Sequence, residues 1–568
     1  MLCAVYASFI ISSRKLEYES FLFGQLSIFQ VAILLAILII LIATLAVALV
    51  YPPNNYDSMT YHLPRVAHWI SNKDISFYPT NNPRQNFQMP LSEFAIMHLQ
   101  VLTASDLFAN VIQWINFVIL IFLGQLIAAE LGLNERQQII TSFLIATLPM
   151  VILQASSTQN DLVASSFVVS FSLYMLRIQK SIRLSNYLFA AMALGLALLT
   201  KGTAYVYCAT MGIALAIPVL LKCKFEIPCL LKRSIGYVFV IVVAFSLNAG
   251  HLSRNYKLYG HPLSTETQLY QNAERSFPAL TANLSRNVGI HLGMPYGPIN
   301  DYSNQLMKLA LGAQLNNPKT TWPGTEFKIQ FRRHEDIAGN FAHTIVVLII
   351  MLALPLLWLY GYFRQTIWYA IGVFSGFIFF CWLLKWQPWA SRLHTPLFIM
   401  ACPLLAIPIT LRNNGIGKRI SQLVVLLFFL GSLIFIFKNE TTPLLSHKWS
   451  FFERDTLYFI ARPKALHQDY KIAIDIITES ENREVGLITG RDDLEYPLWA
   501  LLSQNKGREK KVIFRHIVVN DISKKLEKKQ KLPDYIIATR SVENWKYKSS
   551  YFPIYNSTYI SVLKKIEN

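Results

Sequence analysis

The sequence predicts a mainly α-helical polytopic membrane protein: a bundle of about 11–12 transmembrane helices, followed by a small extracytoplasmic α/β domain. Three observations predict it. First, only 15% of the 568 residues are charged and 53% are hydrophobic, whereas soluble domains carry about 25% charged residues. Second, the apolar residues gather in stretches near 29–50, 107–130, 137–153, 160–177, 186–200, 203–221, 234–250, 342–362, 367–385, 393–411 and 419–437, close to the roughly 20 residues a bilayer crossing needs. Third, the basic residues are shared very unequally between alternate connections.

The elements follow in chain order. Residues 1–28 form an N-terminal segment whose apolar start, "MLCAVYASFIIS", is too short to cross a bilayer alone. It reads as the tail of a truncated first helix or as a short anchor; no positive n-region marks it as a cleaved signal peptide. A transmembrane domain at 29–437 is interrupted by long loops at 51–106 and 251–341. In the first loop, "MTYHLPRVAHWISN" places Leu63, Val66 and Ile70 on one side of a helix. "PLSEFAIMHLQVL" opens with a proline at a helix start. Both read as amphipathic helices lying in the membrane interface. The second loop, rich in Asn, Pro, Gly and aromatics, reads as irregular chain with short helices. Its length points to function. In 438–568, "REVGLITG", "KKVIFRHIVV" and "PDYIIATR" read as strands and "LEYPLWALLSQ" as a helix, which predicts the α/β domain.

The net charge of +19 reports topology rather than nucleic-acid binding. With the 51–106 loop outside, the short inner connections hold Arg14, Lys15, Arg136, Arg177, Lys180, Arg183, Lys222, Lys224, Lys232, Arg233, Arg364, Arg412, Lys418 and Arg419. The short outer ones hold Lys201, Lys385 and Arg392. That is a positive-inside bias, with anionic lipid as the basic residues' partner. Lys524, Lys525, Lys528, Lys529 and Lys531 read as a solvated face. The cysteines, Cys3, Cys208, Cys223, Cys229, Cys381 and Cys402, avoid the large outer segments and lack zinc-type spacing, so no disulfide framework is expected outside and the six read as buried or cytosolic thiols without chemistry. Asn283, Asn439 and Asn556 begin N-x-S/T triplets that read as incidental.

Ionisable residues at membrane depth are costly and so point to function. Four groups fall at one membrane face: Asp57, His62 and Arg65 after the first span; Asp161 in "STQNDL"; Lys201 in "LTKGTAYV"; and Arg254 with Lys257 and His261 in "SRNYKLYGHPL". Each has a plainer reading. Asp57 and Asp161 are good N-caps, Lys201 can snorkel, and Arg254 can meet headgroups. Acids on two loops facing bases on two others nevertheless suit a substrate that carries both a phosphate and a hydroxyl. A carboxylate takes the hydroxyl proton as general base, and fixed cations stabilise the leaving phosphate.

"YDSMTYHLPRVAHWI" followed by "PRQNFQMPLSEF", and then "STQNDL", "LTKGTAYV", "SRNYKLYGHPL", "HEDIAGNFAH" and "KWQPWASRLHTPLF" in that order, resemble the bacterial integral-membrane C-type (GT-C) glycosyltransferases. Within them the resemblance is to the protein O-mannosyltransferase, aminoarabinose-transferase and RgtA/B/C/D-like group, over roughly residues 30 to 412. The resemblance implies a multi-pass enzyme of the bacterial plasma membrane. It moves a sugar, hexose or pentose, from a polyprenyl-phosphate donor to a hydroxyl of a glycan, lipid or protein acceptor on the outer face, usually with inversion. It makes Asp57 the general base and Asp161 the second acid, with Lys201, Arg65 and Arg254 on the donor phosphate. Weaker substrate contacts fall on His62, Glu93, His334, Glu335, Asp336, Trp389 and Arg392, with Trp386 beside them. Where aminoarabinose-transferase relatives have an acid–Lys–Pro step, this chain has Gln88, Met89 and Pro90, with Glu93 one turn later. No cofactor is required by the pattern. A divalent metal is left open by that departure, with His334, Glu335 and Asp336 as the other candidate ligands. A flippase for lipid-linked sugars and a surface-glycan polymerase or ligase are the rival readings.

Overall fold

In the computed structural model, residues 26–359, 361, 366–410, 415–445, 453–480, 484–504, 512–528, 531–539, 545 and 547–566 are described, with the backbone alone for 354–359. Residues 1–25, and with them the N-terminal anchor, Arg14 and Lys15, lie outside this set, as do Arg364, Arg412 and Lys529.

The bundle helices are α1 Ile28–Val50, α2 Val111–Glu130, α3 Glu135–Ala146, α4 Asp161–Lys180, α5 Leu184–Thr200, α6 Thr203–Leu221, α7 Ile227–Tyr259, α8 Phe341–Leu359, α9 Ile367–Leu383, α10 Thr395–Thr410 and α11 Gly415–Phe437. Each falls on one of the apolar stretches. Six of them, α1, α2, α4, α6, α7 and α11, are long and apolar enough to cross a membrane; α5, α8, α9 and α10 are shorter apolar helices. The third stretch is broken. A second helix, Pro149–Gln154, follows α3, because Pro149 lacks an N–H and pushes Leu148 to an extended conformation. Ser27 with Gln30 and Asn134 with Gln137 close capping boxes at the starts of α1 and α3. α4 is the most enclosed span, with 89% of its apolar window buried.

α7 runs to Tyr259, nine residues beyond the predicted end at 250. Its 33 residues make a rod of about 50 Å, longer than the roughly 30 Å hydrocarbon layer, so Arg254 and Lys257 ride on a helical extension rather than a loop. The cysteine expectation needs correction too. Cys223 and Cys229, in the connection between α6 and α7, form a disulfide. Cys208, Cys381 and Cys402 are buried free thiols. Asn283 and Asn439 spend their side-chain amides on backbone carbonyls.

The C-terminal elements are α12 Lys464–Glu479, β1 Glu484–Ile488, α13 Tyr496–Gln504, β2 Ile513–His516, β3 Tyr535–Ala538, β4 Tyr551–Asn556 and β5 Ser561–Lys565. The five strands lie in the order β2-β1-β3-β5-β4. β1 is parallel to β2 and β3, and β5 is antiparallel to β3 and β4. Three strands and α13 match the sequence reading; β4, β5 and α12 add to it.

This sheet packs on the first long loop, which overturns one expectation. The chain after α1 makes a π-helical turn at Ser58–His62 and continues as the helix Leu63–Asn72. Its apolar face does not lie in lipid. Met59, Leu63 and Val66 join one buried cluster with Tyr470, Ile474, Val485, Leu487 and Leu498, with Ile70 at the edge. A stripe of apolar residues reads alike whether lipid or protein covers it. Glu495 N–H donates to Met59 O at 3.1 Å, and Asn81 donates to carbonyls of Thr489 and Val518. The second loop helix, Leu91–Thr103, buries Ile96 in the same cluster and leaves Val101 and Leu102 exposed.

Candidate functional site

Four connections meet at one end of the bundle: the turn after α1, the segment 155–160 leading into α4, the two-residue step between α5 and α6, and the short helix Ala390–Leu393 before α10. An Arg392 guanidinium nitrogen lies 2.6 Å from Asp57 Oδ2 and Lys201 Nζ lies 2.6 Å from Asp161 Oδ1. A hydrogen bond from Thr158 to the Ser58 hydroxyl ties the two acidic loops together. Arg392 also reaches Asp336 at 3.5 Å, and the Gln159 amide donates to Asp336 at 2.8 Å. Asp57, Ser58, Thr158, Gln159, Asp161 and Arg392 are buried, and Lys201 and Asp336 are partly exposed.

The capping readings of the two acids do not hold. Asp57 makes no side-chain cap bond to the turn it precedes, and the Asp161 carboxylate turns to Lys201 while its Oδ2 is buried without a partner. Burial by itself would raise the Asp57 pKa. Arg392 outweighs burial, helped by Arg84 and His62, and holds the carboxyl below its usual range. Burial lowers the Lys201 pKa, partly offset by Asp161. Arg392, inside three acids, is raised despite burial. The two ion pairs therefore sense one another: Arg392 acts on Lys201, and Asp161 acts on Arg392. The arrangement brings two carboxylates and two cations to one point, each cation engaged by an acid.

The other residues named from the sequence distribute as follows. Arg65 is fully buried and spends its hydrogens on Gln85 O at 2.6 Å, Arg84 O at 2.7 Å, Gln88 O at 3.0 Å and Glu93 at 3.2 Å. It braces the loop and has no face left for a phosphate, so that expectation is corrected. Glu93 accepts from His62 at 2.8 Å and from Arg65. Burial pushes its pKa up, but Arg65 and His62 pull it below the ordinary value. His62 thus has its Nδ1 on Glu93 while acting electrostatically on Asp57. Arg254 is half-buried, stacked over Phe77 at 5.6 Å, and is not brought to Asp57 or Lys201.

In "HEDIAGN", Asp336 turns to the site, whereas buried Glu335 takes the Thr441 hydroxyl. His334 Nδ1 accepts the Asp336 backbone N–H at 3.2 Å and lies 3.6 and 3.8 Å from the two carboxylates. The three stand close enough to hold a metal ion, with Asp336 also shared between Arg392 and Gln159. Trp386 packs on Phe327 with 1% exposure, so it is core. Trp389 is half-buried and meets Trp322 at 5.6 Å, which meets Tyr270 at 5.0 Å. These rings form an aromatic wall beside the ion pairs.

Sequence reasoning gave no role to Arg84, Tyr61, Gln159, Trp322 or Tyr270. Arg84 lies over the Tyr61 ring at 4.9 Å, pairs with Asp492 of the C-terminal region at 2.6 Å and acts electrostatically on Asp57. Its place in "PRQNFQMP" was the available signal: a basic residue just after a proline, in the outer loop that carries Asp57. Nothing local marks Trp322 or Tyr270, which reach the wall through bridges pairing Thr321 with Trp386 and Gln271 with Leu384.

No family model matches the sequence, and no curated protein matches it. Solved structures do. ArnT from Cupriavidus metallidurans bound to undecaprenyl phosphate superposes with a TM-score of 0.57 at 12% identity, over 94% of this chain and 98% of that one. The same protein in the apo state gives a TM-score of 0.51 at 12% identity, over 94% and 97%. The chain has the GT-C glycosyltransferase fold, and the fold class expected from the sequence stands.

Proposed function

We propose that this protein is a polyprenyl-phosphate-dependent glycosyltransferase of the bacterial plasma membrane, acting at the extracytoplasmic face. One observation carries the reading. Asp57, Asp161, Lys201 and Arg392, spread over 335 residues of chain, meet as two interacting ion pairs at one end of the bundle. The fold supports it, and the neighbour of that fold is bound to undecaprenyl phosphate. Arg136, Arg177, Lys180, Arg183, Lys222 and Lys224 sit at the opposite ends of the same helices, which favours the outer face for the site.

In this reading the donor phosphate lies between Lys201 and Arg392, with Arg84 as a further cation nearby. Its negative charge competes for Arg392 and loosens the hold on Asp57. Freed of that neighbour, the carboxylate regains basicity when it is needed. The acceptor oxygen attacks the anomeric carbon from the face opposite the phosphate. Its proton passes to Asp57, the bond from the anomeric carbon to the phosphate oxygen breaks, and polyprenyl phosphate leaves with the electron pair. That route inverts the configuration. A base of this kind contributes about 10²–10⁴-fold, and cations fixed in a water-poor site stabilise the charge that grows on the leaving group. Asp161 holds Lys201 and orients the acceptor; the wall of Trp389, Trp322 and Tyr270 is the surface for the sugar. The transmembrane region 29–437 supplies this chemistry, and the C-terminal region 438–568 shapes the acceptor side through Arg84–Asp492 and the exposed Arg491–Glu266 pair.

The test is release of polyprenyl phosphate by the purified protein in nanodiscs, supplied with a panel of undecaprenyl-phosphate sugars and envelope glycolipid acceptors. Release coupled to acceptor glycosylation supports the proposal. Binding or movement of the intact lipid-linked sugar without release supports the flippase reading and overturns it. Mass spectrometry of cell-surface glycolipid from a deletion strain then identifies the sugar.

A further inference from the structure

A second convergence of charged groups lies away from these ion pairs, where the C-terminal sheet meets the first loop. His68 stands on the helix Leu63–Asn72, Glu495 immediately precedes α13, and His516 ends β2. Their exposures are 2%, 1% and 5%. His68 Nε2 is 2.7 Å from Glu495 Oε1, His516 Nε2 is 3.2 Å from Glu495 Oε2, and the two Nε2 atoms are 3.2 Å apart. We propose that His68, His516 and both oxygens of Glu495 bind a divalent transition-metal ion of the zinc class, which fastens the C-terminal sheet to the loop carrying Asp57 and Arg84.

The chemistry of this donor set favours a cation over a proton network. A carboxylate only accepts, and a neutral imidazole nitrogen either donates or accepts. With Glu495 ionised, as its two histidine neighbours favour, each arrangement of the imidazole protons leaves one edge of the triangle unfavourable: two N–H groups side by side, or a lone pair set against a carboxylate oxygen. A cation satisfies two lone pairs and two carboxylate oxygens at once. Zinc binds imidazole nitrogen at about 2.0–2.1 Å in tetrahedral sites, which sets donor atoms about 3.3 Å apart; two of the three separations here are 3.2 Å. Imidazole and carboxylate together suit zinc and its neighbours in the first transition row.

The surroundings are those of a built site. Trp499 Nε1 donates to Glu495 Oε1 at 3.1 Å and Gln85 donates to Oε2 at 2.8 Å. The Thr489 hydroxyl meets His516 Nδ1 at 3.3 Å, leaving Nε2 as the ligating atom. Tyr78 and Trp499 flank the His68 ring at 4.4 and 4.9 Å. Outer contacts of this kind fix imidazole orientation and tune ligands. The residues span 448 positions between His68 and His516, so no spacing motif announces them. The site stands apart from the glycosyltransferase reading and survives or fails independently of it.

The experiment uses the full-length protein purified in detergent without chelators. Elemental analysis is expected to find roughly one zinc per chain, lost in His516→Ala and retained in His334→Ala. Chelation is expected to lower the melting temperature of the wild-type protein, and zinc to restore it. Cobalt added to the chelated wild type is expected to give the visible absorption of a four-coordinate ion, a readout that needs no variant to fold. A wild-type protein that carries no stoichiometric metal and takes up no cobalt overturns the proposal, as does metal retained by folded His516→Ala.

Discussion

Asp57→Asn separates the proposed base from its electrostatic surroundings. The change keeps size and hydrogen-bonding shape but removes the charge that faces Arg392 at 2.6 Å. An ion pair at about 4 Å between charge centres is worth about 4 kcal/mol at an effective dielectric of 20. Arg392 does not lose all of its compensation, because Asp336 remains 3.5 Å away. Folding should therefore survive, with a loss below the roughly 3–5 kcal/mol typical of a broken buried pair. Released from Asp57, Arg392 is freer to meet a phosphate, so affinity for undecaprenyl phosphate should hold or rise. Transfer should fall by about 10²–10⁴-fold, the contribution of a positioned general base. The assay pairs single-turnover sugar transfer in nanodiscs with a lipid-binding measurement on the same preparation. A variant that transfers within tenfold of wild type, or one that loses lipid binding together with transfer, refutes the assignment.

Other perturbations probe neighbouring parts. Lys201→Ala should raise the donor KM by about 10–100-fold, the range for losing a hydrogen bond to a charged group, with a smaller effect on kcat; an unchanged donor KM removes Lys201 from the phosphate. Arg65→Gln should cost about 3–5 kcal/mol of stability, read as a fall in melting temperature, with donor affinity in the folded fraction unchanged; weaker donor binding at unchanged stability would restore Arg65 as a phosphate ligand. Asp57 and Glu93 both have folded pKa values held below the ordinary ones. Their stabilisation is complete above the unfolded carboxylate range of about 4 and is lost as pH falls through the depressed folded values. The melting temperature should accordingly be level from neutral pH to about 5 and drop at more acid pH, less steeply in Asp57→Asn; equal slopes in the two proteins would contradict this linkage.

The spans, and the gathering of Asp57, Asp161 and Lys201, were legible because membrane physics writes them locally. A crossing needs a continuous apolar run, and alternate connections assign each loop to a face. Arg392 was visible as an outer-loop cation, but its position between Asp57 and Asp336 was not. Arg65 reads as a phosphate ligand because its charge is plain in sequence, whereas the carbonyls of Arg84, Gln85 and Gln88 that consume its hydrogens appear only once the loop folds back. The helix with Leu63 and Val66 reads as a lipid-interface helix on its apolar stripe, and the protein that covers it begins some four hundred residues later. The pairing of Cys223 with Cys229 and the end of α7 at Tyr259 were likewise matters of how the chain turns, which composition does not record.

The central claim is that a lipid phosphate is held between Lys201 and Arg392 where the four connections meet. A structure of the protein in nanodiscs with undecaprenyl phosphate tests it most directly. The account predicts phosphate oxygens within hydrogen-bonding distance of Lys201 Nζ and the Arg392 guanidinium, with the Arg392–Asp57 contact opened. Phosphate bound elsewhere, at Arg254 for instance, with both ion pairs intact would contradict it.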